Sequence, residues 1–155
     1  ADRLAVAIPD GPADVVASWR RLSGNEVGYL LGWRIAERLE QEGNGGTLAA
    51  SIVSSPALRE IARHYRLDYA DTLTGFKWVS RVPGLSYGFE EALGYLVDPG
   101  KIRDKDGISA AVEFLSLMTE LKAEGKTLQD HEAAFAEKFG AYASSQISIR
   151  VTDLS

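Results

Sequence analysis

Three short clusters in this sequence combine residue types that could hold a polar, anionic ligand. Thr74-Gly75-Phe76-Lys77 offers a hydroxyl, a glycine that lets the backbone approach a ligand closely, and a cation. Gly88-Phe89-Glu90-Glu91-Ala92-Leu93-Gly94-Tyr95 sets two carboxylates side by side. Like charges repel, so one of them can have a raised pKa, and a carboxylate accepts paired hydrogen bonds from vicinal sugar hydroxyls. Neighbours in a strand point to opposite faces, so at most one of Glu90 and Glu91 aims into a cleft. The plainer alternative is two exposed loop acids. Arg103-Asp104-Lys105-Asp106-Gly107 precedes a long helical pattern. Acids suit a helix N-terminus, whereas a cation there needs neighbouring acids or a ligand anion to compensate it. Lys105 is therefore more informative than Asp104 and Asp106 on either side of it.

Other chemistries find little support. His64 and His131 carry no metal-ligand spacing, and His64 falls in a last helical turn, where histidine caps well. Trp19, Trp33 and Trp78 read as core or interface anchors. No Gly-x-Gly-x-x-Gly, Walker or Gly-x-Ser-x-Gly motif is present. With no cysteine, the 155 residues exclude a disulfide scaffold, thiol catalysis and cysteine-ligated metal. A net charge of −5 argues against non-specific nucleic-acid binding. No apolar run reaches the ~18–20 residues of a membrane span, so a soluble, cytoplasmic domain is expected, with no nucleic-acid or membrane partner.

The elements that must position these clusters follow from spacing. Leu4–Ile8 and Val15–Leu22, around Pro9-Asp10-Gly11-Pro12, predict a hairpin. Ser23 and Glu26 form a capping box for a helix over about 24–42. Thr47–Ser54 reads as a buried strand, Ser55-Pro56 starts a helix to about Tyr65, and Leu67–Leu73 returns as a parallel strand. A short helix is expected near Phe76–Trp78, then strands at Leu85–Phe89 and Ala92–Val97. From Asp104 the longest helix buries Ile108, Ala111, Val112, Leu115, Met118 and Leu121; Thr127 caps another, and Gln146–Val151 reads as a strand or extended exit. The expected fold is α/β: a three-layer α/β/α arrangement with a small mixed, mostly parallel sheet of about four strands, plus an N-terminal β-hairpin.

Taken in order and spacing, Thr74-Gly75-Phe76-Lys77-Trp78, Gly88–Tyr95 and Asp104-Lys105-Asp106-Gly107 resemble the third domain of the α-D-phosphohexomutase superfamily, over about residues 22–140. Asp2-Arg3 resembles the end of the family's Asp-x-Asp-x-Asp-Arg metal loop. The resemblance implies that residues 1–21 are the last hairpin of a metal-binding second domain, 22–140 a sugar-binding third domain, and 141–155 an exit towards a fourth. It implies a parent isomerase, a phosphoglucomutase or phosphomannomutase. That enzyme moves a phosphoryl group between the 1- and 6-positions of glucose or mannose, through a phosphoserine and a hexose 1,6-bisphosphate, with Mg²⁺ as cofactor. Glu90 would accept from ring hydroxyls, with Thr74, Gly75, Glu91 and Lys77 beside it as substrate-binding residues. Lys105 would face the reacting phosphoryl group, Asp2 would be a metal ligand, and Arg3 would position the phosphoserine. Alanine at position 92 departs from the Glu-x-Ser of many members and resembles a subgroup spanning hexose and pentose phosphates, so a phosphopentomutase parent is an alternative. A stand-alone sugar-phosphate-binding module is another. The start Ala1-Asp2-Arg3, running straight into Leu4–Ile8 without a methionine, reads as part of something longer, and the chain by itself is expected to be inactive.

Overall fold

A computed structural model describes residues 1–10 and 19–145. The N-terminal strands β1 (Ala7–Pro9) and β2 (Trp19–Arg21) pair antiparallel, with Ile8 opposite Arg20. Strand β1 is shorter and later than the expected 4–8. The expected hairpin turn, the start of its return strand and the exit segment 146–155 lie outside the described residues. Helix α1 (Gly24–Gln41) starts at the expected capping box: Glu26 N–H donates to Ser23 Oγ (3.2 Å) and Ser23 N–H to Glu26 Oε2 (2.6 Å).

Strand β3 (Thr47–Ser51), helix α2 (Ala57–His64) and strand β4 (Asp68–Thr72) form the expected right-handed type of unit, with β3 and β4 parallel. Strand β3 ends three residues early. Ile52 and Val53 leave the sheet and are exposed, because a turn closed by Ser54 N–H on Ser51 O (2.9 Å) follows the last strand residue. The short helix α3 (Phe76–Val79) leads to β5 (Leu85–Glu90), parallel to β3, and β6 (Gly94–Leu96) returns antiparallel to β5. The sheet order is β4-β3-β5-β6. Helices α4 (Gly107–Ala123) and α5 (Leu128–Phe139) follow.

The mixed, mostly parallel sheet of four strands separates two apolar clusters of unequal size. Leu48, Ala50, Tyr87, Phe89 and Tyr95 face α1, α2 and α4, which α5 backs. Ala49, Leu85 and Leu96 face only α3, through Phe76 and Val79. The helical layers therefore lie on both faces, but one is four residues long. Strand alternation produces this division directly, since successive residues of β3 fall on opposite faces.

Helix α4 corrects the sequence reading twice. It begins at Gly107 rather than Asp104, because the carboxylate of Asp106 accepts from Ile108 and Ser109 N–H (3.1 and 3.2 Å). Those bonds, with Ser109 first among them, hold the Asp106 carboxyl below its ordinary pKa. The buried face also differs: of the expected residues Leu121 is buried and Met118 packs against the core, but the N-terminal part of the expected stripe is turned outwards. Ala110, Phe114, Leu117 and Leu121 point inwards, while Ile108, Val112 and Leu115 are more than 60% exposed. Of the tryptophans only Trp33 is a core anchor; Trp19 and Trp78 are substantially exposed.

Trp33 donates to Tyr65 Oη (2.9 Å) and stacks on His131 at 4.3 Å, with the rings 3° from parallel. The Nε2 atom of His131 is buried without a hydrogen-bond partner, and desolvation pushes the imidazole pKa down. The unfolded chain protonates His131 near pH ~6.5, before the folded chain does. Stability is therefore full above that pH and is lost as the pH falls below it, towards the folded pKa. Urea midpoints of the wild type should fall between pH 7 and 5.5, and His131→Phe should flatten that slope. An identical slope in the variant would refute the assignment.

Candidate active site

The strands β3, β4 and β5 end at Ser51, Thr72 and Glu90, so the loops that follow them gather at one edge of the sheet. This is where open α/β sheets hold ligands. Glu90 is buried, at 8% exposure, and its carboxylate accepts from the backbone N–H of Gly75. Gly75 can stand there because its φ of +115° is open to glycine and closed to almost every other residue. The bond ties the end of β5 to the start of α3 and fixes one carboxylate oxygen. A carboxylate offers about four acceptor positions, so capacity is left for hydroxyl donors.

Gly94 lies opposite Glu90 in the β5–β6 register. A Cβ at that position would sit 2.7 Å from the Phe76 ring and 3.3 Å from Lys105 Cδ. Its absence lets Phe76 and the lysine stem share the space beside Glu90. The Lys105 ammonium lies 5.7 Å from the centre of the Phe76 ring, 3.4 Å from Asp2 Oδ2 and 3.6 Å from Asp104 Oδ1. A backbone hydrogen bond first, and Lys105 second, hold the Asp2 carboxyl below its ordinary pKa. Glu90, Gly75, Phe76, Lys105 and Asp2 thus form one continuous rim.

The remaining predicted residues divide. Thr74 is exposed on this rim, immediately before Gly75. The Lys77 ammonium is 5.4 Å over the ring of Trp78. Glu91, in the turn that follows β5, points the other way. Its carboxylate accepts from Ser51 Oγ (3.2 Å) and Ser54 Oγ (3.0 Å), and its N–H donates to Ser54 Oγ (3.1 Å). It flanks a cleft of about 620 Å³ that Asn25, Val53, Ala92 and Ser144 also line. Arg3 is exposed, and its backbone is what Gly107 makes room for: a Cβ on Gly107 would lie 2.3 Å from Arg3 O. Phe76 and Gly94 lie inside the polar clusters but show no role of their own in the sequence, and Ser51 and Ser54 look like plain strand there.

The segment carrying Asp2 is braced at both ends of the rim. Leu4 N–H bonds Leu93 O (3.2 Å) in the turn after Glu90, and Gly107 N–H bonds Ala1 O (3.1 Å) at the start of α4. Leu93 itself holds a φ of +66°, unusual for a residue with a branched side chain.

The rim pairs a scaffolded acceptor, suited to vicinal hydroxyls, with a cation suited to an anionic group. The fold and this edge define an α/β domain with a fixed carboxylate and a cation beside the ends of its parallel strands. Residues 23–139 match the family model described as phosphoglucomutase/phosphomannomutase, alpha/beta/alpha domain III, and the chain belongs to that family. It is 59% identical over its whole length to a protein of Haemophilus influenzae named "Probable phosphomannomutase", of which it covers 31%. It is 35% identical, over 80% of its length, to the phosphoribomutase of Saccharomyces cerevisiae, covering 22% of that protein. Among solved structures it resembles the open form of parafusin, a phosphoglucomutase from Paramecium. That TM-score is 0.65 at 21% identity, over 78% of this chain and 22% of the other, a likeness of fold. The chain thus spans about a third or less of these relatives.

Proposed function

We propose that this chain is the sugar-recognising part of a longer cytoplasmic phosphosugar mutase, an isomerase that transfers a phosphoryl group between the two ends of a hexose phosphate. The observation that carries the reading is the Glu90 carboxylate fixed on Gly75, with the glycine that seats Lys105 directly opposite Glu90 across the β5–β6 ladder. In this reading residues 1–21 close the metal-binding second domain, 22–140 grip the sugar, and 141–155 lead to a fourth domain. Glu90 accepts from adjacent ring hydroxyls and orients the ring. Thr74 and the Gly75 loop bound the sugar, with Lys77 at its margin, while Glu91, committed to Ser51 and Ser54, faces the neighbouring cleft. Lys105 places positive charge on the transferring phosphoryl oxygens, where phosphoryl transfer needs it. Arg3 serves the phosphoserine supplied by the first domain, and a hexose 1,6-bisphosphate reorients between the two transfers.

A magnesium site does not close on these residues alone. Among the described residues no group of three carboxylate or imidazole side chains converges. Asp2 is a single exposed carboxylate engaged with Lys105, so it contributes one ligand at most. The isolated chain, with no phosphoserine domain, is expected to be inactive.

Glu90→Gln in the full-length protein tests the reading. A charge-assisted hydrogen bond is worth about 1.5–3 kcal/mol, so kcat/KM for glucose 1-phosphate should fall roughly 10- to 100-fold. Unchanged kinetics would remove Glu90 from the sugar site. The 35% identity to a phosphoribomutase, together with Ala92, favours a second reading in which the parent prefers pentose phosphates. A higher kcat/KM for ribose 1-phosphate than for glucose 1-phosphate would select it.

A further inference from the structure

The surface of α4 that faces away from the sheet is apolar. Ile108, Val112 and Leu115 recur at helical spacing and are 63%, 61% and 65% exposed. At 100° per residue they fall diametrically opposite the buried stripe of Ala110, Phe114, Leu117 and Leu121. The polar groups that would normally occupy such a face are elsewhere. Glu113 and Glu120 lie on the flank towards α1, where Glu113 pairs with Arg34 and Arg38 (2.8 Å each) and Glu120 with Arg34. The hydroxyls of Ser116 and Thr119 turn back onto the carbonyls of Val112 and Leu115 (2.9 Å each). The outer face therefore offers a partner aliphatic surface and few free hydrogen-bonding groups. Contiguous exposed apolar surface of this kind marks an interface.

What covers it is indicated by where the chain enters. Ala1–Leu4 is fastened to the first turn of α4, through the bond from Gly107 N–H to Ala1 O and the close contact of Gly107 with the Arg3 backbone. Polypeptide joined to Ala1 is thus delivered beside Ile108, at one end of the stripe. More than two thirds of the Haemophilus relative lies outside the stretch this chain matches. We propose that the Ile108–Val112–Leu115 face is an interdomain surface, covered in the full-length protein by the domain joined to Ala1 rather than by solvent or a second copy. The inference rests on the reading of the chain as part of a longer mutase.

These 155 residues contain no cysteine, so a thiol placed among them labels a peptide that mass separates from any cysteine elsewhere in the full-length protein. Leu115→Cys and Val112→Cys in the full-length protein should react with a small maleimide at least tenfold more slowly than Glu137→Cys on the exposed side of α5, followed by peptide mass. The protection should not change on hundredfold dilution. Equal rates at all three positions would show an open face, and protection lost on dilution would show a second copy; either overturns the proposal. Two positions guard against one variant failing to fold. Turnover of the unmodified protein is measured separately, so a protected but inactive protein rejects the mutase reading and leaves the interdomain surface standing.

Discussion

Gly24→Ala should lower the stability of this chain by at least about 2 kcal/mol, although alanine is the better helix former. A Cβ at position 24 would lie 1.8 Å from the backbone oxygen of Glu91 and 2.6 Å from its carbonyl carbon. Flexible side chains can step aside for a methyl group; this carbonyl cannot. It sits in a turn held by Ser54 Oγ on the Glu91 N–H, by the β5–β6 ladder before and after it, and by Leu4 on Leu93 O. Overpacking of this kind costs about 3 kcal/mol at the upper end of its range. Alanine's helix propensity returns about 1 kcal/mol at most. Gly45→Ala is the matched control, since nothing lies within 4 Å of a Cβ there. Urea unfolding of the two variants reads the difference directly. A Gly24→Ala midpoint equal to that of Gly45→Ala would mean that the turn yields, and with it the geometry claimed for Glu90.

Lys105→Met should do the opposite, leaving the fold nearly intact and removing most of the activity of the full-length protein. The ammonium pairs with Asp2 and Asp104 at 3.4 and 3.6 Å, and both carboxylates are well exposed. Such pairs contribute about 1 kcal/mol at most, and the methionine stem can still cover Phe76. A preorganised charge on a transferring phosphoryl group is worth far more. Removing one such electrostatic contact lowers turnover by roughly 10²- to 10³-fold. The expected pattern is a large fall in kcat, partly restored by Lys105→Arg, with a melting temperature within a few degrees of wild type. Turnover within threefold of wild type would show that Lys105 only balances Asp2 and Asp104.

Local signals in the sequence carried much of this structure. The Ser23–Glu26 box, the β3-α2-β4 unit and the three polar clusters each depend on neighbours within a few residues. The face of α4 depended on something else. Ile108, Val112 and Leu115 repeat as regularly as Ala110, Phe114, Leu117 and Leu121, so periodicity alone offers two stripes. The choice between them is made from outside the helix, by Arg34 and Arg38 on α1 drawing Glu113 and Glu120 to one flank. Lys105 was picked out as a misplaced cation at a helix start; the start is two residues later, and the charge instead faces Asp2. The seat made by Gly94 was equally hidden, because it needs the antiparallel return of β6 and the left-handed Leu93 that permits it.

The brace formed by Ala1–Leu4 bears on how this domain can be moved between proteins. The family match begins at Ser23, which makes Leu22 the natural joint for a chimera. Cut there, the transplanted module would keep Glu90, Gly75 and Lys105 but lose the extended segment that ties the turn after Glu90 to the helix start beside Lys105. The spacing between sugar grip and cation would then be inherited from the recipient. Exchanging such domains would therefore shift substrate preference by altering distance as well as by altering side chains, and a graft that keeps its own leading segment would behave differently from one that does not.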